Sequence, residues 1–321
     1  MRTDNIFTPI QDRIKQVEER MRAQADGHHP ELNIALEYLL SSGGKRVRPA
    51  VALLIGGMLG GDPQRLVTLG AAIELLHTAT LVHDDLIDGA LFRRGIATLN
   101  ARWSPAATVL AGDFIFARAA KLAAETESGR VIKLFAETLA TIVNGEITQM
   151  FTSRGTINRD DYYRRIYAKT ASMFELASTA AAYLSPVDDQ AVAAARNYGY
   201  EIGMAFQIVD DVLDFTAEPG IVGKPVARDL RQGVLTLPVL CYLEKNSDDS
   251  RMYDWMNSRI LDADHLDGLI DSIRASGAIQ EAMEEAERYM ECALAALRGQ
   301  PESVERQALE ELSRYVVHRE L

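Results

Sequence analysis

Cysteine is nearly absent. The 321-residue chain has two, Cys241 and Cys292, so no disulfide framework is implied and a reducing, cytoplasmic setting is expected. Positive charge is in deficit: 34 Lys and Arg stand against 46 Asp and Glu, a formal net charge of −12. That balance excludes the basic surface needed for non-specific binding of nucleic acid. Long hydrophobic runs are lacking too. The longest uncharged stretches, Pro49–Gly61 and Leu176–Val187, run 13 and 12 residues, short of the roughly 20 that cross a bilayer as a helix. The segment Met1–Arg22 has charges spread through it and no apolar centre, so it does not read as a secretory signal. Period-two runs of β-branched residues are missing, which argues against sheet.

What is present points to helices. Apolar residues make up 47% and charged residues 25%, the balance of a globular chain. Alanine, leucine and glutamate abound, and Gly and Pro mostly fall between periodic runs, with breaks expected near Gly27–Pro30, Ser41–Gly44, Gly60–Pro63, Ser104–Pro105, Ser153–Asn158, Ser185–Asp189 and Glu218–Pro225. No polar linker or low-complexity tract divides the chain. An all-α fold is expected, a single large helical domain over residues 1–321.

One element occurs twice. Asp84-Asp85-Leu-Ile-Asp88 is matched by Asp210-Asp211-Val-Leu-Asp214, and each follows a strongly apolar run, Thr78–Val82 and Phe206–Val209. On a helix, i and i+4 share a face and i+1 lies beside them, so each triad gathers three carboxylates. Aspartate is a poor helix former, and three close carboxylates repel one another. Two solvated acidic turns with capping roles are the plain alternative. Repetition on apolar helices favours a cation site instead, and hard oxygen donors with water and phosphate point to Mg²⁺. A calcium EF-hand is excluded by the ligand spacing.

Basic residues accompany the triads. Gly43-Gly44-Lys45-Arg46-Val47-Arg48-Pro49 can bring Lys45 and Arg48 to a helix N-terminus, a ready anion site. Arg93 and Arg94 follow Asp88 closely, placed to grip a metal-bound diphosphate or, for Arg93, to form an internal ion pair with Asp88. Lys169-Thr170 and Lys224 are weaker candidates, since a lone lysine is more often simply solvated. His77 lies two turns before Asp84 on nearly the same face, as a ligand contact or a satisfied core residue.

The set Gly43-Gly44-Lys45-Arg46-x-Arg48-Pro49, Glu74-Leu-Leu-His77, His83-Asp84-Asp85-x-x-Asp88, Arg93-Arg94-Gly95, Lys169-Thr170, Gly203-x-Ala-Phe206-Gln207-x-x-Asp210-Asp211-x-x-Asp214 and Gly223-Lys224-Pro225 resembles the trans-isoprenyl (polyprenyl) diphosphate synthases in order and spacing. Asp113 in Leu110-Ala-Gly-Asp113 and the run Leu235-Thr-Leu-Pro238 are most similar to the long-chain members. The resemblance implies antiparallel helices around a deep central cavity, the isoprenoid synthase type, and a homodimer. It implies head-to-tail addition of isopentenyl diphosphate to an allylic diphosphate (dimethylallyl, geranyl or farnesyl), with Mg²⁺ as cofactor. By the same resemblance, Asp84, Asp85, Asp88, Asp210, Asp211 and Asp214 hold the metal. Arg93, Lys169 and Lys224 contact the allylic diphosphate. Lys45, Arg48, His77 and Arg94 hold isopentenyl diphosphate. Thr170 and Gln207 sit near the developing cation, and Phe206 near the isopentenyl hydrocarbon. Many relatives carry a lysine where Val234 stands, a lost positive contact that implies either lower affinity for the allylic primer or compensation by Arg228 or Arg231.

Product length is a steric matter. Ala79 and Thr80, one turn before the first triad, are small. Each helical turn opens roughly 5.4 Å of depth, so a long all-trans product is expected, hexaprenyl to decaprenyl. The alternatives are a geranylgeranyl diphosphate synthase, a class I terpene cyclase, and a non-catalytic partner subunit. Transient membrane contact for release of an oily product is left open, with no basic amphipathic helix to mark it.

Overall fold

The computed structural model describes residues 4–41, 43–151, 158–216, 226–258 and 263–319. Its longer helices are α1 (Gln11–Arg22), α2 (Pro30–Ser41), α3 (Val47–Met58), α4 (Pro63–Ile87), α5 (Pro105–Glu125), α6 (Gly129–Phe151), α7 (Arg159–Ile166), α8 (Ser172–Tyr183), α9 (Asp189–Thr216), α10 (Leu237–Lys245), α11 (Ser250–Ser258), α12 (Ala263–Ala275), α13 (Ala278–Ala296) and α14 (Val304–His318). Among the described residues the structure is all-α apart from one hairpin, β1 (Phe92–Arg93) and β2 (Ile96–Ala97), paired Phe92 to Ala97 and Arg93 to Ile96. A single π-helical turn, Tyr167–Ala171, lies between α7 and α8. Neither the hairpin nor the π turn was expected from sequence. The expected break at Glu218–Pro225 and most of that at Ser153–Asn158 lie outside the described residues, while the others fall between helices.

The residues divide into two compact units. The first comprises Met1–Leu139, Met173–Gly199 and Leu297–Glu311. Its centre is α4, whose Leu66, Leu69, Ala71, Ala72, Ile73, Leu75 and Leu76 are buried on every side. A helix apolar all round belongs inside a core, and α1, α3 and α5 pack against this one. Among the described residues α4 alone is long and apolar enough to cross a membrane, and 72% of its most apolar window is buried in the protein. Packing accounts for that composition.

Local chemistry starts these helices cleanly. Asp62 accepts from the Arg65 N–H at 2.9 Å ahead of Pro63, and Ser104 accepts from the Ala107 N–H at 3.3 Å ahead of Pro105. These are N-caps followed by a proline at the first helical position, where no N–H is missed. Close approach is set by glycine. A Cβ on Gly56 of α3 would fall 2.2 Å from Leu66 of α4, and one on Gly112 of α5 would fall 2.2 Å from His83 of α4. The second contact seats the residue that immediately precedes the first aspartate triad.

The second unit comprises Ala140–Ser172, Tyr200–Ala296 and Leu312–Leu321. Ile208, Val209, Val212 and Phe215 of α9 form its core with Tyr162 and Ile166 of α7, Leu237–Tyr242 of α10, Leu269 and Ile273 of α12 and Ala282 and Ala286 of α13. Asn158 caps α7 by accepting from the Asp161 N–H at 2.8 Å. A Cβ on Gly145 of α6 would lie 2.5 Å from Ala168, so α6 runs directly beneath the π turn.

Gly199 of α9 is the tightest such position, since a Cβ there would meet the Ser178 hydroxyl at 2.0 Å and the Phe174 carbonyl at 2.5 Å. Gly199→Ala should therefore destabilise the protein by about 1–3 kcal/mol. Thermal unfolding followed by circular dichroism reads this as a lowered midpoint.

Candidate active site

Each triad ends a long helix. Asp84 and Asp85 occupy the last turn of α4, and Asp88 is its C-cap, its N–H donating to the Asp84 carbonyl at 2.8 Å. Asp210, Asp211 and Asp214 occupy the last two turns of α9. These are the two longest helices among the described residues, 25 and 28 residues. The C-terminal end of a helix carries partial negative charge from its unpaired carbonyls, equivalent to roughly half an electron. Carboxylates there are the reverse of what the helix favours, so each triad concentrates a negative potential that cations must answer.

In the first unit Arg93 answers part of it. Its Nε lies 2.9 and 3.0 Å from the two oxygens of Asp85, and a terminal nitrogen lies 2.8 Å from Oδ1. The internal ion pair considered for Arg93 thus exists, but with buried Asp85 and not with Asp88, which is exposed. The reason is the hairpin. Arg94 and Gly95 form its two-residue turn with φ of 51° and 79°, the left-handed pair of a type I′ turn, and the reversal returns Arg93 to the end of α4. Arg94, at the turn, donates to the Gly43 carbonyl.

That contact brings Arg94 to the Gly43–Arg48 loop. Arg46 has a left-handed backbone, and its side chain is buried between Glu74 of α4 at 2.9 Å and Glu18 of α1 at 3.0 Å. It anchors the loop from within, while Lys45 is exposed and Arg48 is half-buried, its Cζ 5.0 Å from the Phe174 ring centroid. The two flank the start of α3 as the sequence suggests. Burial, then the charges of Arg48, Arg94, Arg93 and Arg46, hold the His77 imidazole well below its ordinary value. A neutral histidine with guanidinium groups around it suits an anionic ligand. Of the two small positions above the triad, Ala79 has no exposed surface. Thr80 is half-buried, its hydroxyl donating to the His77 carbonyl at 2.7 Å.

In the second unit the side chains form a connected chain. The Thr170 hydroxyl donates to Gln207 Oε1 at 2.6 Å, and Gln207 Nε2 donates to Asp211 Oδ1 at 2.9 Å. The Tyr162 hydroxyl donates to Asp211 Oδ2 at 2.8 Å. Asp211 is buried, and burial pushes its carboxyl up to about 7 against the pull of these two donors. The π turn makes this possible. Its extra residue per turn buries Thr170 toward Gln207 while neighbouring Lys169 stays exposed, 3.7 Å from Glu146. Asp214 accepts from the Asp229 N–H at 3.0 Å, and its carbonyl accepts from the Ala227 N–H at 2.7 Å. Asp210 is ion-paired with Arg319, which also donates to the Phe206 carbonyl at 3.2 Å and lies 4.1 Å over the Phe206 ring. Lys224 lies outside the described residues.

The donors fit a hard divalent cation. They are all carboxylate oxygens, placed where helix ends add negative potential. Among the described residues no three of them converge into a ready-made cage, and Asp85 and Asp210 are held by arginine instead. Sequence reasoning missed several participants: Tyr162, Glu146, Arg319, and Asp229, whose carboxyl is pushed up by burial and by Asp214; Glu74 stood in the quoted set without a role. Asp229 alone had a local signal, as an acid close to the motif. Arg231, a suggested substitute for the missing lysine at 234, is taken by Asp267 and the Val226 carbonyl.

Residues 29–273 match the family model described as Polyprenyl synthetase. The chain is 35% identical to octaprenyl diphosphate synthase of Escherichia coli strain K12 over 289 residues, 88% of each chain. It is 32% identical to the solved polyprenyl synthase of Caulobacter crescentus CB15, complexed with calcium and isoprenyl diphosphate, with a TM-score of 0.91 over 99% of this chain and 98% of that one. It is 31% identical to a decaprenyl diphosphate synthase of Rhodobacter capsulatus, with a TM-score of 0.91 over 99% of each chain. The all-α isoprenoid synthase fold is thereby established along the chain's length.

The buried Arg46 ion pairs generate a stability test. Arg46→Met strands Glu74, itself buried, without its partner. Breaking such a pair from one side costs about 3–5 kcal/mol, which urea unfolding monitored by fluorescence should read as a lower midpoint.

Proposed function

The chain belongs to the polyprenyl synthetase family, and from that premise we propose how its residues carry out long-chain prenyl transfer. The observation that carries the reading is the pair of aspartate triads at the C-terminal ends of the two longest helices. The protein is a prenyltransferase of the long-chain type. We assign it isopentenyl diphosphate and an allylic diphosphate as substrates, Mg²⁺ as its divalent ion, and a product in the hexaprenyl to decaprenyl range.

Ionisation of the allylic C–O bond leaves an allylic cation and pyrophosphate. Bound Mg²⁺ would neutralise charge developing on the leaving pyrophosphate, a contribution of several kcal/mol. Asp84, Asp85, Asp88, Asp210, Asp211 and Asp214 would hold it, directly or through water. Arg93 stays beside Asp85 and turns its free edge to the same diphosphate. Lys169 and Lys224 add charge. Lys45, Arg48 and Arg94 hold the second diphosphate, with neutral His77 donating a hydrogen bond. Gln207 and Thr170, fixed by their mutual hydrogen bond, present oxygen dipoles to the cation. The isopentenyl double bond attacks, and the proton then lost goes to departing pyrophosphate, so no dedicated protein base is required. Apolar walls must exclude water, which would trap the cation.

A homodimer is supported by an apolar stripe on α6. Ile132, Val143, Ile147 and Met150 recur at helical spacing with 44–60% exposure, a surface that association would cover. Sedimentation at the monomer mass would count against it. The two cysteines, both free, support a cytoplasmic setting.

Radiolabelled isopentenyl diphosphate with farnesyl diphosphate and Mg²⁺ should give products longer than geranylgeranyl, and chelation by EDTA should abolish them. No incorporation under any condition, or arrest at geranylgeranyl, contradicts the assignment. Asp84→Ala and Asp210→Ala should each lower turnover about a hundredfold or more, with helix content unchanged. Thr80→Phe should shorten the product, because Thr80 has exposed surface and Ala79 has none. An unaltered product distribution would place the growing chain elsewhere.

A further inference from the structure

Arg165, on the last turn of α7, has surroundings that the assigned site does not use. Several arginines of the same unit are committed: Arg159 to Glu244 and Glu285, Arg164 to Asp161, Arg231 to Asp267 and Arg319 to Asp210. Arg165 is half-buried, and among the described residues its one hydrogen bond goes to the Leu235 carbonyl, with no carboxylate at ion-pair distance. Its Cζ stands 5.5 Å from the centroid of the Tyr162 ring, whose hydroxyl holds Asp211. A guanidinium has five donors in a rigid fork matched to phosphate oxygens. One that is partly desolvated, satisfied only by a carbonyl, and set beside a carboxylate cluster is arranged for an anion that arrives with its own cations.

The field around it agrees with that placement. Arg165 is one of the charges that act on both Asp211 and Asp229. It therefore reaches the second triad electrostatically while remaining unpaired with it. Arg228, on the short helix Arg228–Arg231, is exposed and acts on Asp229 ahead of Lys169 and Arg165, but it is not among the charges that act on Asp211. The Leu235 carbonyl that holds Arg165 belongs to the residue next to Val234, where the resemblance leads one to expect a lysine.

We propose that Arg165 is a substrate-binding residue for the diphosphate of the allylic substrate, and that it supplies from α7 the positive charge that position 234 lacks. The inference rests on the prenyl-transfer reading above. It makes Arg165 and Val234 a compensating pair: the cation reaches the diphosphate from a helix and not from the loop.

The test measures binding and turnover in the full-length protein. Calorimetric titration with inorganic pyrophosphate in excess Mg²⁺ reads the site without catalysis. Arg165→Met should weaken pyrophosphate by about tenfold, the scale of one lost charge-assisted hydrogen bond or more. It should raise KM for farnesyl diphosphate by a similar factor and leave KM for isopentenyl diphosphate and the melting temperature near the parent values. Adding Val234→Lys to Arg165→Met should recover most of the lost affinity, and Arg164→Met should bind like the parent. Unchanged pyrophosphate affinity in Arg165→Met overturns the proposal. So does a loss accompanied by a lowered melting temperature and reproduced by Arg165→Lys, which would make the residue a structural tie to Leu235. Parent protein inert with every primer would defeat the functional reading itself, whereas an active parent with an unaffected Arg165→Met defeats only this inference.

Discussion

Negative charge gathered at the wrong end of a helix is the constraint to which the rest of the molecule responds. α4 and α9 each finish in three aspartates, at the end where the helix dipole already disfavours anions. The cost is met differently at each. At the end of α4, Arg93 grips Asp85 through both carboxylate oxygens. At the end of α9, Arg319 reaches Asp210 from the C-terminal segment, and Tyr162 and Gln207 each donate a hydrogen bond to buried Asp211. Burial nonetheless holds the Asp211 carboxyl up at about 7. On the function proposed above, a divalent cation brought with a diphosphate would favour the charged carboxylates at both helix ends, a physical reason for metal and substrate to bind together.

The scaffold around the triads is devoted to placing side chains that cannot place themselves. Arg46, in a left-handed conformation and buried against Glu74 and Glu18, fixes the loop that carries Lys45 and Arg48. The Arg94-Gly95 turn folds Arg93 back on α4. Gly112 admits the ring of His83 next to Asp84, and Gly145 admits the π turn that sends Lys169 outward and Thr170 inward. In each case a small residue or an unusual backbone region sits one step from a residue of chemical use. Strain and close packing of this kind persist only where surrounding contacts over-determine them.

What was legible from sequence was whatever depends on spacing within one element. The aspartates at i, i+1 and i+4, the breaks at Gly60–Pro63 and Ser104–Pro105, and the loop preceding α3 all follow from periodicity and local propensity. The hairpin at Phe92–Ala97 was not legible, because two strands of two residues leave no alternating pattern. The π turn was not, because an added residue in one turn changes no composition. Tyr162, Arg319 and the pairing of Glu74 with Arg46 were not, because each acts on a partner 49, 109 or 28 residues away.

The sequence by itself determined the helical class, the two carboxylate clusters and the basic loops near them, since these rest on short-range geometry and on the chemistry of residue types. Tertiary structure alone decided which cation meets which carboxylate. Arg93 takes Asp85 and not Asp88, Arg231 is consumed by Asp267, and Arg165 has no carboxylate partner among the described residues. Charges attract through space irrespective of chain order, so an arginine's partner is settled by where folding carries it and by how much water stays between them.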